Sequence, residues 1–160
     1  MDQQYYRHIL SHFATGVTVV ATKDQLGIYA MTVNSLTSLS LTPPLVMMAV
    51  DLKARTRIGL HTSQRFTVSI LAESHSALST QFAQKMQPPD PFGGLPTFLT
   101  PSGIPVLSDA LAYLDCRIEA FYPGGDHEIV VAEVEDLGVL QPGRPLIFFQ
   151  SQYHRIHTNS

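Results

Sequence analysis

Residues 113–121 alternate without a fault. Leu114, Cys116, Ile118 and Ala120 fall on one side, and Asp115, Arg117 and Glu119 on the other. That is the two-residue period of a half-buried strand. Pro123-Gly124-Gly125-Asp126 then makes a turn, and residues 127–140 form a second strand region. A long strand followed by a turn and another long strand restricts the fold more than any other feature of the chain. It calls for a sheet with an apolar side that must be covered.

The remaining segments fit around that hairpin. Residues 2–14 read as a helix, because Tyr6, Ile9, Leu10 and Phe13 form one apolar stripe that ends before Gly16. Residues 17–22 are β-branched and read as a strand. Lys23-Asp24-Gln25-Leu26-Gly27 is a hairpin loop, and residues 28–41 form a long Ser/Thr-rich segment broken by Thr42-Pro43-Pro44. A short apolar strand covers residues 45–50, and a short helix lies near residues 57–63. Another strand spans residues 66–71. With Ser74 as N-cap, Leu78, Phe82 and Met86 predict a helix over residues 75–86. Residues 87–105 are rich in proline and glycine and read as a long irregular excursion. A last short strand covers residues 146–149. Strands do not alternate strictly with helices, so a doubly wound parallel sheet is disfavoured. The expected fold is mainly β (α+β), a mostly antiparallel small barrel with capping helices.

Composition narrows the class. The 160 residues are 44% apolar and only 14% charged, with a net charge of −3, against about 25% charged in an average soluble domain. Disorder is excluded, and nothing drives general binding to nucleic acid or an anionic membrane. The length predicts a single domain over residues 1–160. Sparse charge points to a surface covered by a second copy. A single cysteine, Cys116, rules out an intramolecular disulfide and fits a reducing cytoplasm. Its place on the apolar side of the strand reads as core packing. No signal peptide is visible and the longest apolar run is too short to span a bilayer.

Familiar nucleotide and hydrolase signatures (G-x-G-x-x-G, the P-loop, H-E-x-x-H and G-x-S-x-G) do not occur. His8 and His12 lie four apart on the first helix, but no third ligand is implied, so they read as a solvated face and no metal is expected. His154 and His157 belong to a polar tail. Ser38, His127 and Asp115 make a hydrolytic triad only on paper. Three segments carry more. Met31-Thr32-Val33-Asn34-Ser35, continuing to Ser38, offers short hydroxyl and amide groups on a strand, suited to a flat polar heterocycle or simply to solvent. Asp51-Leu52-Lys53-Ala54-Arg55-Thr56-Arg57 gathers cations, a hydroxyl and a helix start, the elements of a phosphate site or of a basic surface loop. Gly124-Gly125-Asp126-His127 delivers a histidine to the start of a strand, toward a cleft or toward water.

Taken in order, these segments resemble the flavin reductase-like family, the FMN-binding split barrel that includes reductase components of two-component flavin monooxygenases. The resemblance runs from about Tyr6 to Tyr153. It rests on Phe13-Ala14-Thr15-Gly16-Val17-Thr18-Val19-Val20, on Met31-Thr32-Val33-Asn34-Ser35 through Pro43-Pro44-Leu45, and on Phe66-Thr67-Val68-Ser69-Ile70-Leu71. Phe82-Ala83 and Gly125-Asp126-His127 through Glu133-Val134 complete it. The resemblance implies a homodimer with FMN or FAD near the subunit interface, NADH or NADPH as cosubstrate, and hydride transfer to the flavin. It implies that Met31, Thr32, Val33, Asn34, Ser35 and Ser38 contact the flavin ring and chain. Asp51, Lys53, Arg55, Thr56 and Lys85 would frame the phosphate, and His127 would act near the nicotinamide. The reduced flavin would serve a partner monooxygenase. The alternatives are a flavoprotein with another acceptor, or a flavin-binding module without turnover. Two departures stand out: Ala54 where the family's phosphate loop often has serine, and Phe148-Phe149 where its last strand often has Tyr-His.

Overall fold

In a computed structural model describing residues 1–157, the long hairpin is present as expected. The helices are α1 (Gln3–Leu10), α2 (Arg55–Ser63) and α3 (Ser76–Phe82), the last entered through a 3-10 turn at Glu73–His75. The strands are β1 (Thr15–Gly16), β2 (Thr18–Asp24), β3 (Gly27–Val33), β4 (Thr37–Leu41), β5 (Pro44–Asp51), β6 (Arg65–Ile70), β7 (Thr97–Leu99) and β8 (Pro105–Leu107). They continue with β9 (Ala112–Gly124), β10 (His127–Val139), β11 (Ile147–Phe149) and β12 (Gln152–His154). Every strand pairing is antiparallel. The main sheet runs β3-β2-β6-β9-β10-β5-β4, with β9 and β10 near its middle.

Its two outermost strands are consecutive in the chain. Val33 ends β3 and Thr37 begins β4. Four Cα–Cα steps reach at most about 15 Å, whereas the outer strands of a flat seven-stranded sheet stand about 29 Å apart. The sheet therefore curls until its edges meet, and the seam between β3 and β4 carries no ladder. Ser35, in the connection, extends the β4–β5 pairing: its hydroxyl donates to the Ala49 carbonyl at 3.1 Å and accepts the Ala49 N–H at 3.0 Å. The inside of the curl is one apolar cluster, with Val20, Val33, Met48, Phe66, Cys116 and Val130 among its members. A second cluster fills the outer face beneath α3 and the 92–107 region, with Val19, Leu71, Phe82, Phe92 and Leu107.

Several boundaries differ from the sequence reading, each for a local reason. The first helix stops at Leu10 because the Ser11 hydroxyl and the His12 ring both engage the His8 carbonyl. Gly16 lies in β1, paired with β11. Residues 28–41 divide into β3 and β4 at the seam. Helix α2 starts two residues early, because Asp51 folds the preceding loop by accepting the Lys53 and Ala54 N–H groups through its side chain and carbonyl. The helix at 75–86 ends at Phe82, where the Gln87 amide donates to the Phe82 carbonyl at 3.1 Å; Met86 is consequently 79% exposed. The 87–105 excursion is ordered, carrying β7 and burying Phe92 and Ile104. Cys116 is fully buried, and burial, then the neighbouring Asp115 and Glu135 carboxylates, push its thiol up to about 12. This is a packing cysteine, not a nucleophile.

Helix α2 lies close against β2 and β3 because residue 59 is glycine. A Cβ there would meet Thr22 Cγ2 and Tyr29 Cδ2, each at 2.7 Å. Gly59→Ala is expected to cost about 1–3 kcal/mol through overpacking. The check is a denaturant melt, in which the midpoint falls and the slope stays the same; an unchanged midpoint would show that the contact yields freely.

Candidate active site

The free edge of β3 opens onto a cavity of about 770 Å³, within the range of small-molecule sites. Its walls are the β3 segment from Ile28 to Thr32, the 51–56 loop with the start of α2, and the 82–89 segment after α3. One wall is apolar, with Ile28, Met31, Phe82, Pro88 and Pro89. The other is cationic, with Lys53, Arg55 and Lys85. Helix α2 begins at this second wall. Its N-cap is Ala54, whose side chain makes no capping bond. The Arg57 N–H turns back on the Ala54 carbonyl at 3.1 Å, which leaves the Arg55 and Thr56 N–H groups as first-turn donors without a cap, so this helix end points them and a positive dipole at the cavity.

The β3 edge is held by contacts from two elements. The Ala30 carbonyl accepts Gln87 Nε2 at 2.9 Å and the Thr56 hydroxyl at 3.3 Å. The Thr32 hydroxyl donates to the Ser79 carbonyl at 2.6 Å, and Ser79 Oγ pairs with the Tyr153 hydroxyl at 2.6 Å. These bonds fix the separation between β3, α2 and α3, which sets the width of the cavity.

The site residues expected from sequence divide into two groups. Met31, Thr32, Asp51, Lys53, Arg55, Thr56 and Lys85 converge on the cavity. Two of them play parts different from the expected ones. Thr56 is buried with its hydroxyl committed to Ala30, and Asp51 Oδ1 accepts the Lys53 N–H at 2.8 Å. Val33, Asn34, Ser35, Ser38 and His127 lie outside its lining. Val33 faces the inner core, the Ser35 hydroxyl is committed to Ala49 of β5, and Asn34 and Ser38 are exposed. His127 sits opposite Asp51 in the β10–β5 register, with Nδ1 2.7 Å from Asp126 Oδ1. The hairpin turn therefore abuts the cationic loop, and the Leu52 N–H donates to the Asp126 carbonyl at 3.1 Å. Asp126 is fully exposed, and its hydrogen bond to His127 holds it below the usual carboxylate range. The paper triad does not assemble. Asp115 is buried, accepting the Ser102 N–H at 3.0 Å, and about 30 Å of strand separates it from the His127 end of the hairpin.

Sequence reasoning missed Tyr29, Gln87 and the Pro88-Pro89 wall. The signal for Gln87 was its place directly before two prolines, where a helix must end and its carbonyls need donors. It also missed a cluster behind α2. Glu128 on β10 accepts Arg57 Nε at 3.2 Å and Nη2 at 3.3 Å, and lies 2.7 Å from His61 Nε2. Burial raises the Glu128 carboxyl, but the hydrogen bonds from His61 and Arg57 outweigh it and hold the group below its usual 4.5.

A family model described as the flavin reductase like domain matches residues 10–157. The chain is 39% identical over 158 residues to the reductase component of 4-hydroxyphenylacetate 3-monooxygenase from Thermus thermophilus, covering 96% of this chain and 97% of that protein. It is 35% identical to the NADH-dependent flavin reductase StyB from Pseudomonas fluorescens, covering 96% and 90%. Among solved structures, Streptomyces globisporus C-1027 NADH:FAD oxidoreductase SgcE6, in complex with NAD and FAD fragments, superposes with a TM-score of 0.93 at 32% identity. That alignment covers 99% of this chain and 95% of that one. The chain belongs to the flavin reductase-like domain family.

Glu128 gives a pH test of the site's framework. A carboxyl depressed in the folded state stabilises the fold above its unfolded pKa, and that contribution is lost as pH falls through the folded value. The stability advantage of wild type over Glu128→Gln is expected to be full above pH 4.5 and to shrink below it. Paired denaturation midpoints across an acid series check this; a pH-independent difference would contradict it.

Proposed function

We propose that this chain is an NAD(P)H:flavin oxidoreductase, folded as one domain, that reduces FMN or FAD and supplies the reduced flavin to a partner monooxygenase. Flavin reductase chemistry follows from the family and from relatives named as NADH-dependent flavin reductases. The observation that carries the site assignment is the cationic wall. Lys53 and Arg55 stand at an uncapped helix N-terminus with Lys85 across the cavity, and none of the three has an acidic partner among the described residues. The residues present fit a phosphorylated, flat heterocycle: cations and helical N–H groups at one end, a strand edge and apolar side chains at the other.

A bound flavin supplies the hydride-accepting ring, and a reduced nicotinamide supplies the hydride. The protein's share is orientation and solvent exclusion. Lys53, Arg55, Lys85 and the first turn of α2 hold the phosphate. Met31 and Thr32 on β3 would line the ring's side of the cavity, and the Phe82 and Pro88-Pro89 wall would keep water from it. Ala54 costs the site one side-chain hydrogen bond, leaving backbone N–H groups to carry that load. Such a loose grip suits a flavin that must leave. His127 orients the nicotinamide from the rim, held by Asp126. Val33, Asn34, Ser35 and Ser38 act through the seam and not as direct contacts. The setting is the cytoplasm, where the pyridine nucleotides are.

A homodimer belongs to the same proposal. Helix α1 buries none of its residues in the single chain, and its Tyr6, Ile9 and Leu10, with Phe13 just beyond its end, are 50–78% exposed. A second copy is the partner that covers it, and sedimentation of the pure protein should give twice the chain mass; a monomer at micromolar concentration would end the dimer reading.

The central test is steady-state oxidation of NADH and NADPH against FMN, FAD and riboflavin. Turnover is expected to scale with added free flavin. Arg55→Ala is expected to raise the KM for FMN about tenfold, the scale of one charge-assisted phosphate contact, with little effect on riboflavin. His127→Ala is expected to slow turnover more than it weakens flavin binding. Flavin binding without nicotinamide consumption would overturn the reductase reading in favour of a binding module.

A further inference from the structure

Arg57 and His61 stand one turn apart on α2, and both end on Glu128. Glu128 is only 9% exposed and shares the inner face of β10 with Val130 and Ala132. The His61 ring also stacks on Phe121 of β9, with centroids 3.9 Å apart and planes at 12°. A buried ion pair is a weak source of stability, because desolvation cancels much of the attraction, and apolar replacements are often neutral. What such a pair does well is fix one arrangement against others.

The arrangement it fixes is the rotation of α2. Successive helical residues turn by about 100°, so residues two apart face nearly opposite ways. With Arg57 drawn inward to Glu128, Arg55 must face outward, and it does line the cavity while Arg57 does not. We propose that Glu128 is a positioning residue for the anion end of the cavity. Through Arg57 and His61 it sets the rotation of α2, which aims Arg55 and the first-turn N–H groups at the phosphate. The inference rests on the phosphate reading given above.

The test is equilibrium binding of FMN and of riboflavin to the full-length protein without nicotinamide, followed by flavin fluorescence. For Glu128→Gln, FMN affinity is expected to fall about fivefold while riboflavin affinity stays within about twofold. The sign is diagnostic, because simple charge removal would tighten binding of an anion. His61→Ala removes one of the two anchors from a half-exposed site and should shift FMN in the same direction by about twofold. It also serves if Glu128→Gln does not fold. Unchanged or tighter FMN binding in the folded variants overturns the inference, as does an equal loss of FMN and riboflavin. A wild-type protein that does not distinguish FMN from riboflavin would instead overturn the phosphate reading, and this inference with it.

Discussion

Three residues, Asn34, Ser35 and Leu36, join the two outermost strands of a seven-stranded sheet. That tether is too short for any flat arrangement, and most of the architecture follows from it. The sheet must curl, so one face becomes an enclosed core around Phe66, Met48 and Val130. The seam carries no ladder, and the β3 edge beside the cavity is held by Gln87 and Thr56 on the Ala30 carbonyl. Ser35 anchors the tether to β5 by exchanging two hydrogen bonds with Ala49.

Around that edge, charge is sorted by which side of α2 it occupies. Arg57 and His61 turn to Glu128 in the core, while Arg55, with Lys53 before it and Lys85 across the cavity, faces the open side. The helix therefore presents an uncapped, positive N-terminus to the ligand space and a neutralised flank to the core. The close approach at Gly59 holds the helix down, and the Thr56 and Gln87 bonds to Ala30 fix its distance from β3. A cationic side and an apolar side share one cavity, an arrangement that suits the proposed chemistry, which a flavin and a nicotinamide would carry.

Much of this was legible in the residues themselves. The alternation at 113–121 and the glycine-rich turn after it located the central hairpin, because period two has one structural meaning. The grouping of Lys53 and Arg55 at a helix start was also legible, because local sequence brings those groups together. The Ser/Thr-rich run from Thr32 to Ser38 misled for the opposite reason. Its hydroxyls look alike in sequence, yet Thr32 lines the cavity, Ser35 bonds to Ala49 of β5 and Ser38 lies exposed. Glu128 was silent in sequence. It is 67 residues from His61 and 71 from Arg57, and nothing local marks such a pairing.

The sequence alone determined the strand periods, the turns, the basic loop, the buried cysteine and the family, since each is written in neighbouring residues. Tertiary structure decided which strand edge stayed open, which hydroxyls face the cavity and which way α2 is rotated. Those depend on long-range closure of the sheet and on a buried carboxylate meeting an arginine and a histidine, interactions that exist only once distant segments have packed.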